Sequence, residues 1–166
     1  MSLFPADIIA DAEAIIRGFA ATGMMISTAE SCTGGLIAGA LTEIAGSSAV
    51  VDRGFVTYTN SAKMEMLGVQ EATLARYGAV SEETARQMAN GALFRSRADI
   101  AIAVTGVAGP GGGSAEKPVG LVHLAAKSRR GGLVHQRMLY GDIGRDQVRL
   151  ATVRTALAMI RRLAQA

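Results

Sequence analysis

The stretch that most constrains this chain is "DIAIAVTG", Asp99 to Gly106, an almost unbroken run of small and β-branched apolar residues that ends in a glycine-rich loop. A strand apolar on both sides has to be covered on both faces, as in a parallel or mixed sheet held between two layers of helices. At 166 residues the chain suits one domain. A domain of that size buries about 70% of the surface its unfolded chain exposes. Hydrophobic residues make up 49% of the chain but aromatics only 4%, with 20 glycines, so the core is expected to be built from Ala, Val, Ile, Leu and Met around tight turns.

The rest of the pattern agrees with a covered sheet. Pro5 to Ala21 reads as a helix with Ile8, Ile9, Ala12, Ile15, Ile16 and Phe19 on one face, ended by Gly23. Met24 to Thr28 is a short strand, Gly34-Gly35 a tight turn, and Leu36, Ile37, Ala40, Leu41 and Ile44 repeat with helical spacing before a second strand, Val50 to Thr57. A strand–helix–strand connection of this length normally joins parallel strands. Short helices are predicted at Ser61 to Leu67 and Glu71 to Tyr77, then a longer one from Ser81 to about Arg97 with acids in its first turn. Val119 to Ala126 and Leu133 to Tyr140 read as an antiparallel hairpin, and a final amphipathic helix runs from about Arg145 to Leu163. The predicted fold is α/β: a three-layer α/β/α sandwich with a mixed, mostly parallel sheet and a late antiparallel hairpin, one domain over residues 1–166.

Composition narrows the function classes. A single cysteine rules out an intrachain disulfide and a multi-cysteine zinc site, and a reducing cytoplasm is the simplest compartment. The two histidines, His123 and His135, come with no H-x-x-H spacing, so neither a metal nor another cofactor is expected. A net charge of +3, from 17 basic and 14 acidic residues, is too mild for a dedicated nucleic-acid binder. The acids in the first residues do not suit a secretory signal, and no window of about 18 apolar residues suggests a membrane span. A small, apolar, aromatic-poor domain is also one that a homo-oligomer suits.

Chemistry is expected where parallel strands end, because backbone N–H groups at helix starts are free there. Three segments should meet on that edge: Thr28 to Gly35, Tyr58 to Lys63 and Thr105 to Ser114. In "TAESCTGG", Ser31 is either a helix N-cap or a nucleophile; with Thr33 as the cap, Ser31 is free to face the cleft beside the amides of residues 32 to 35. Ala29 and Thr33 stand where G-x-S-x-G needs glycines, and G-K-[ST] is missing, so neither a hydrolase elbow nor a P-loop is supported. Cys32 is the rival nucleophile or a small buried hydrophobe, and Glu30 either serves a ligand or base or is an exposed loop carboxylate.

Lys63 breaks a local rule. With Asn60 as cap it takes the third helical position, where an acid is favoured and a cation opposes the helix dipole. Met66 and Leu67, one turn on, would desolvate it and make it a base; the alternative is a solvated surface lysine. Tyr58 suits proton transfer or ring stacking, Ser47 and Ser48 suit a turn as well as a ligand, and Thr105 precedes a loop that presents the amides of Gly106, Gly109 and Gly112. Arg145 repeats the anomaly of a cation at a helix start, where phosphate is the natural counter-charge.

Taken in series, "TAESCTGG", "AGSSAVVDRGFVTYTNSAK", "GAVSEETA", "AVTGVAGPGGGSAEKPVG" and "GDIGRDQVR" resemble the blocks of the CinA C-terminal domain family, whose activity is nicotinamide-nucleotide amidase. The resemblance spans nearly the whole chain. It implies a stand-alone domain, without the N-terminal molybdopterin-binding-like domain of longer relatives, that hydrolyses nicotinamide mononucleotide to nicotinate mononucleotide and ammonia without a metal. By motif, Ser31 corresponds to the nucleophile and Lys63 to its base; Tyr58, Ser48 and Thr105 match further active-site positions. Glu30, Thr33, Gly34, Gly35, Gly106, Gly109, Gly112 and Arg145 are then expected around the substrate, the glycine loop and Arg145 on its phosphate. The late block departs from the family's G-D-R, since Ile143 and Gly144 separate Asp142 from Arg145. A non-catalytic nucleotide-binding or regulatory module tied to competence or DNA damage, and an amidase with another substrate, are the alternatives.

Overall fold

The computed structural model describes residues 1–166. Five strands, β1 (Ile26–Glu30), β2 (Val51–Val56), β3 (Ile100–Gly106), β4 (Leu121–Ser128) and β5 (Leu133–Leu139), form one sheet in the order β2-β1-β3-β4-β5. β1 is parallel to both β2 and β3, whereas β4 is antiparallel to β3 and to β5. The sheet is mixed, as predicted, with its parallel part first and the hairpin at the far edge.

Side-chain alternation along β3 decides what covers each face. Ile100, Ile102 and Val104 join the larger core, with α1 (Ala6–Thr22), α2 (Leu36–Thr42) and α6 (Arg145–Ala164). Ala101 and Ala103 join the second core under α5 (Glu82–Phe94), where Ala125 of β4 lies opposite Ala103. Bulky side chains therefore fill one face, and small ones let α5 lie close on the other.

α5 in turn fixes α3 (Asn60–Leu67). A Cβ on Gly91 of α5 would stand 1.9 Å from the Leu67 carbonyl oxygen, so only glycine allows the two backbones this approach. α4 (Glu71–Tyr77) follows α3, and Ser81, where the helix is expected to begin, caps α5 by accepting from the Thr84 N–H.

Two capping expectations are corrected. Thr59, not Asn60, caps α3, its hydroxyl accepting from the Ala62 N–H, so Lys63 is the fourth helical residue rather than the third. Neither Ser31 nor Thr33 caps α2, whose preceding residue is Gly35 in the left-handed region. The cap comes from β1 instead: the buried Glu30 carboxylate accepts from the N–H groups of Ile37 and Ala38, and the Thr33 hydroxyl donates to it at 2.7 Å. A carboxylate on a helix start is favoured by the dipole and by charge-assisted hydrogen bonds.

Candidate active site

The three expected segments do converge. Ser31 follows β1, Tyr58 and Lys63 follow β2, and Thr105 with the glycine loop ends β3. Together with Ala79 and Val80 before α5, and Arg145 at the start of α6, they line a cleft of about 290 Å³. No aspartate or glutamate lines it, and Arg145 adds a fixed positive charge, so the cleft suits an anionic ligand.

Lys63 is only 1% exposed. Its ammonium nitrogen stands 3.1 Å from Ser31 Oγ, 2.9 Å from the Thr57 carbonyl oxygen and 3.3 Å from that of Tyr58. Burial holds its pKa below the ordinary lysine value of 10.5. The two carbonyls only accept, so a neutral amine directs both its N–H bonds at them and its lone pair at the Ser31 hydroxyl. Of the two residues expected to cover it, Leu67 one turn on is buried while Met66 is exposed.

The rival nucleophile is answered by the same environment. Burial pushes the Cys32 thiol up to about 12, so at neutral pH it is a protonated, packed side chain. Its neighbours matter more than its sulfur: the N–H groups of Cys32 and Thr33 donate to no oxygen of the protein, and they follow Ser31 directly. The Gly34 N–H is taken by the Ser31 carbonyl at 3.0 Å.

Further round the cleft, Tyr58 stands 59% exposed at the mouth, and its hydroxyl accepts from Arg145 Nη2 at 3.1 Å. Arg145 Nη1 donates to the Gly109 carbonyl at 2.7 Å, tying the start of α6 to the glycine loop. The Thr105 hydroxyl donates to the Ala79 carbonyl at 2.8 Å and holds the opposite wall. Gly106, Gly109 and Gly112 line the cleft as expected, and the N–H groups of Ala108, Gly109, Gly111, Gly112 and Gly113 make no hydrogen bond within the protein.

Other expected ligand contacts lie elsewhere. Glu30 and Thr33 are fully buried and face α2 rather than the cleft, because the helix start needs their oxygens. Gly34 and Gly35 (φ +56° and +102°) supply the left-handed turn between Ser31 and α2 and do not line the cleft. Ser48 is displaced furthest: it sits exposed in the turn Ser47–Ala49 ahead of β2, at the sheet edge opposite Ser31, because Val51 pairs with Ile26 at the start of β1. A larger groove, about 610 Å³, lies beside α1 and the end of α2 with Ile9, Ile16 and Ile44 in its lining; its one hydroxyl, Ser2, accepts from the Phe4 N–H and is hydrogen-bonded to no base.

Two features had no clear signal in the sequence. Arg149, one turn along α6 from Arg145, donates to the carbonyls of Cys32 and Thr33. The histidines pair with each other, His123 Nδ1 lying 2.9 Å from His135 Nε2, on the hairpin and away from Ser31.

Strand ends, a serine and a buried lysine define the class: a three-layer α/β domain whose cleft couples a hydroxyl to an amine with a lowered pKa. The CinA C-terminal domain model matches residues 9–164, and the chain belongs to that family. It is 51% identical over 146 residues to the nicotinamide-nucleotide amidohydrolase PncC of Escherichia coli K12, covering 87% of each chain. It is 50% identical to a CinA-like protein of Geobacter sulfurreducens over 90% of its own length, but spans 36% of that longer protein. Among solved structures, the competence/damage inducible protein CihA of Agrobacterium tumefaciens superposes with a TM-score of 0.98 at 71% identity, covering 99% of both chains.

Proposed function

We propose that this chain is an amidohydrolase that cleaves the carboxamide of nicotinamide mononucleotide, giving nicotinate mononucleotide and ammonia in pyridine-nucleotide recycling. The observation that carries it is the Ser31–Lys63 pair: a hydroxyl 3.1 Å from a buried amine whose other contacts are carbonyls. Similarity to a protein named for this activity, at 51% identity, supports the substrate.

Neutral Lys63 takes the proton of Ser31 as Oγ attacks the amide carbon. The carbonyl oxygen, now an anion, is met by the N–H groups of Cys32 and Thr33, which no protein oxygen occupies. As the C–N bond breaks, the Lys63 ammonium returns the proton to the leaving nitrogen and ammonia departs. Water then attacks the acyl ester, its proton passing to Lys63 and on to Ser31 Oγ, and the acid is released. Electrostatic donors of this kind contribute about 3 kcal/mol each to the transition state.

The other end of the cleft suits the nucleotide. Free amides of the glycine loop and the unspent donors of Arg145 offer a phosphate site, and Tyr58 at the mouth offers a face for a planar ring. Nothing in this reaction calls on a metal or another cofactor, and a cytoplasmic enzyme with a soluble nucleotide substrate fits a chain in which no helix is long and apolar enough to cross a membrane.

Ammonia release from nicotinamide mononucleotide by the purified protein tests the proposal. Turnover lost in Ser31→Ala and kept in Cys32→Ala is the expected result. Binding without turnover would favour a regulatory module, and turnover confined to other amides in a substrate panel would reassign the substrate.

A further inference from the structure

Helix α6 meets the cleft with two arginines one turn apart, and the second of them, Arg149, does not line it. Its Nε donates to the Cys32 carbonyl and its Nη2 to the Thr33 carbonyl, both at 3.1 Å, a two-pronged grip on the turn that follows Ser31. The residues gripped belong to no helix or strand; the Thr33 carbonyl also accepts from the Leu36 N–H at 3.1 Å, whereas the Cys32 carbonyl has no main-chain donor, so Arg149 alone holds it. Gly34 sits beneath the guanidinium; a Cβ there would lie 3.5 Å from Nη2, at a φ of +56° that favours glycine.

Peptide planarity gives this grip a chemical consequence. These peptide units are trans, so a carbonyl held one way sends the next residue's N–H the opposite way. Holding the Cys32 oxygen therefore aims the Thr33 N–H away from α6, and holding the Thr33 oxygen aims the Gly34 N–H at the Ser31 carbonyl, where it bonds at 3.0 Å. Were the unit between Cys32 and Thr33 to flip, the N–H would turn toward Arg149 and a carbonyl oxygen would face the developing anion.

We propose that Arg149 is a positioning residue, a clamp from α6 that keeps the turn after Ser31 in the one peptide orientation in which its N–H groups receive the oxyanion. The proposal rests on the serine chemistry assigned to this cleft. A planar guanidinium suits the task because its donors form a rigid fork, whereas lysine offers one mobile point of contact. Arg145, on the same helix, ties down the glycine loop and Tyr58, so the first turns of α6 brace all three loops of the cleft.

The test reads Ser31 directly, with a fluorophosphonate probe whose attachment is followed by intact-protein mass. Probe attachment places a phosphoryl oxygen in the same anion site and does not depend on the natural substrate. Arg149→Met is expected to slow labelling about 10-fold or more, with the pH midpoint of labelling unchanged, since Lys63 keeps its partners. In ammonia release the loss should fall on kcat, with KM moved less than about 3-fold, and added guanidinium at millimolar concentration should restore part of the rate. Labelling within about twofold of the parent rate, or a loss confined to KM, overturns the clamp. If Arg149→Met does not fold, Arg149→Lys carries the same comparison, slower labelling supporting the clamp and parental labelling overturning it. A parent protein that labels on Ser31 yet releases no ammonia from nicotinamide mononucleotide removes the substrate assignment alone; one that does not label at all removes both.

Discussion

Lys63 and the His123–His135 pair are all bases held below their ordinary pKa, with Lys63 and His123 buried and His135 half-buried, yet they stand in opposite relations to their surroundings. Lys63 faces an open cleft, with a hydroxyl and two carbonyls as its partners. His123 is held down to about 4, by burial first and by the neighbouring His135 second, and its ring is closed against that histidine. His135 is also lowered by burial, although Glu82, 3.5 Å away, pulls the other way; Arg86, Arg137, Lys117 and Glu83 complete the charged surroundings of the pair. Neither ring is hydrogen-bonded to a hydroxyl: that of Thr105, across the ladder from His123, donates to the Ala79 carbonyl instead. A lowered pKa marks a base that is short of water, and only the partner at hydrogen-bond distance makes it a base for something.

The comparison can be broken most forcefully at Lys63. Lys63→Met should cut turnover at least about 10³-fold, as expected when one member of a nucleophile–base unit is lost. It should lower the melting temperature at neutral pH by no more than a few degrees, because the replacement keeps the length of the side chain and removes a desolvated amine, at the cost of the hydrogen bonds to the Thr57 and Tyr58 carbonyls. A variant that melts far lower while keeping its turnover would invert both roles. At Arg145, methionine should raise KM for the nucleotide about 10-fold with a smaller change in kcat, read from initial rates, since Arg145 is proposed to hold the phosphate.

Smallest on activity, and most telling for the contrast, is His123→Leu. Its turnover should stay within about twofold of the parent, but its acid stability should change. The folded His123 sits at about 4 against an ordinary 6.5, so the unfolded chain binds more protons between those values and stability falls as pH drops from 6.5 toward 4. That slope is worth roughly 3 kcal/mol at its limit, and the leucine variant should flatten it in melting curves taken at stepped pH.

How much of this was legible in the sequence depends on which link each residue belongs to. Periodicity located every strand and helix to within a few residues, because burial on two faces of a sheet leaves a plain pattern in β3 and α1. Lys63 was legible for a different reason: a cation early in a helix is locally wrong, and the structure resolves the conflict by turning it inward onto Ser31. Glu30 and Thr33 misled because residue type does not tell which way a loop carboxylate turns; here α2 lacks a cap of its own and takes it from β1. Ser48 misled through its motif, whose residues the parallel crossover sends to the two opposite edges of the sheet. Arg149 left no mark, since an arginine inside an amphipathic helix looks like any solvated position until the fold brings the Ser31 turn against it.

The central claim is that Lys63, neutral when active, is the base for Ser31, and the pH dependence of kcat/KM for ammonia release tests it most directly. With its pKa lowered from 10.5, Lys63 should give one ascending limb whose midpoint lies below that value, present in His123→Leu and lost in Lys63→Met. A limb near 4 that disappears with His123, or one that survives in Lys63→Met, would contradict the account.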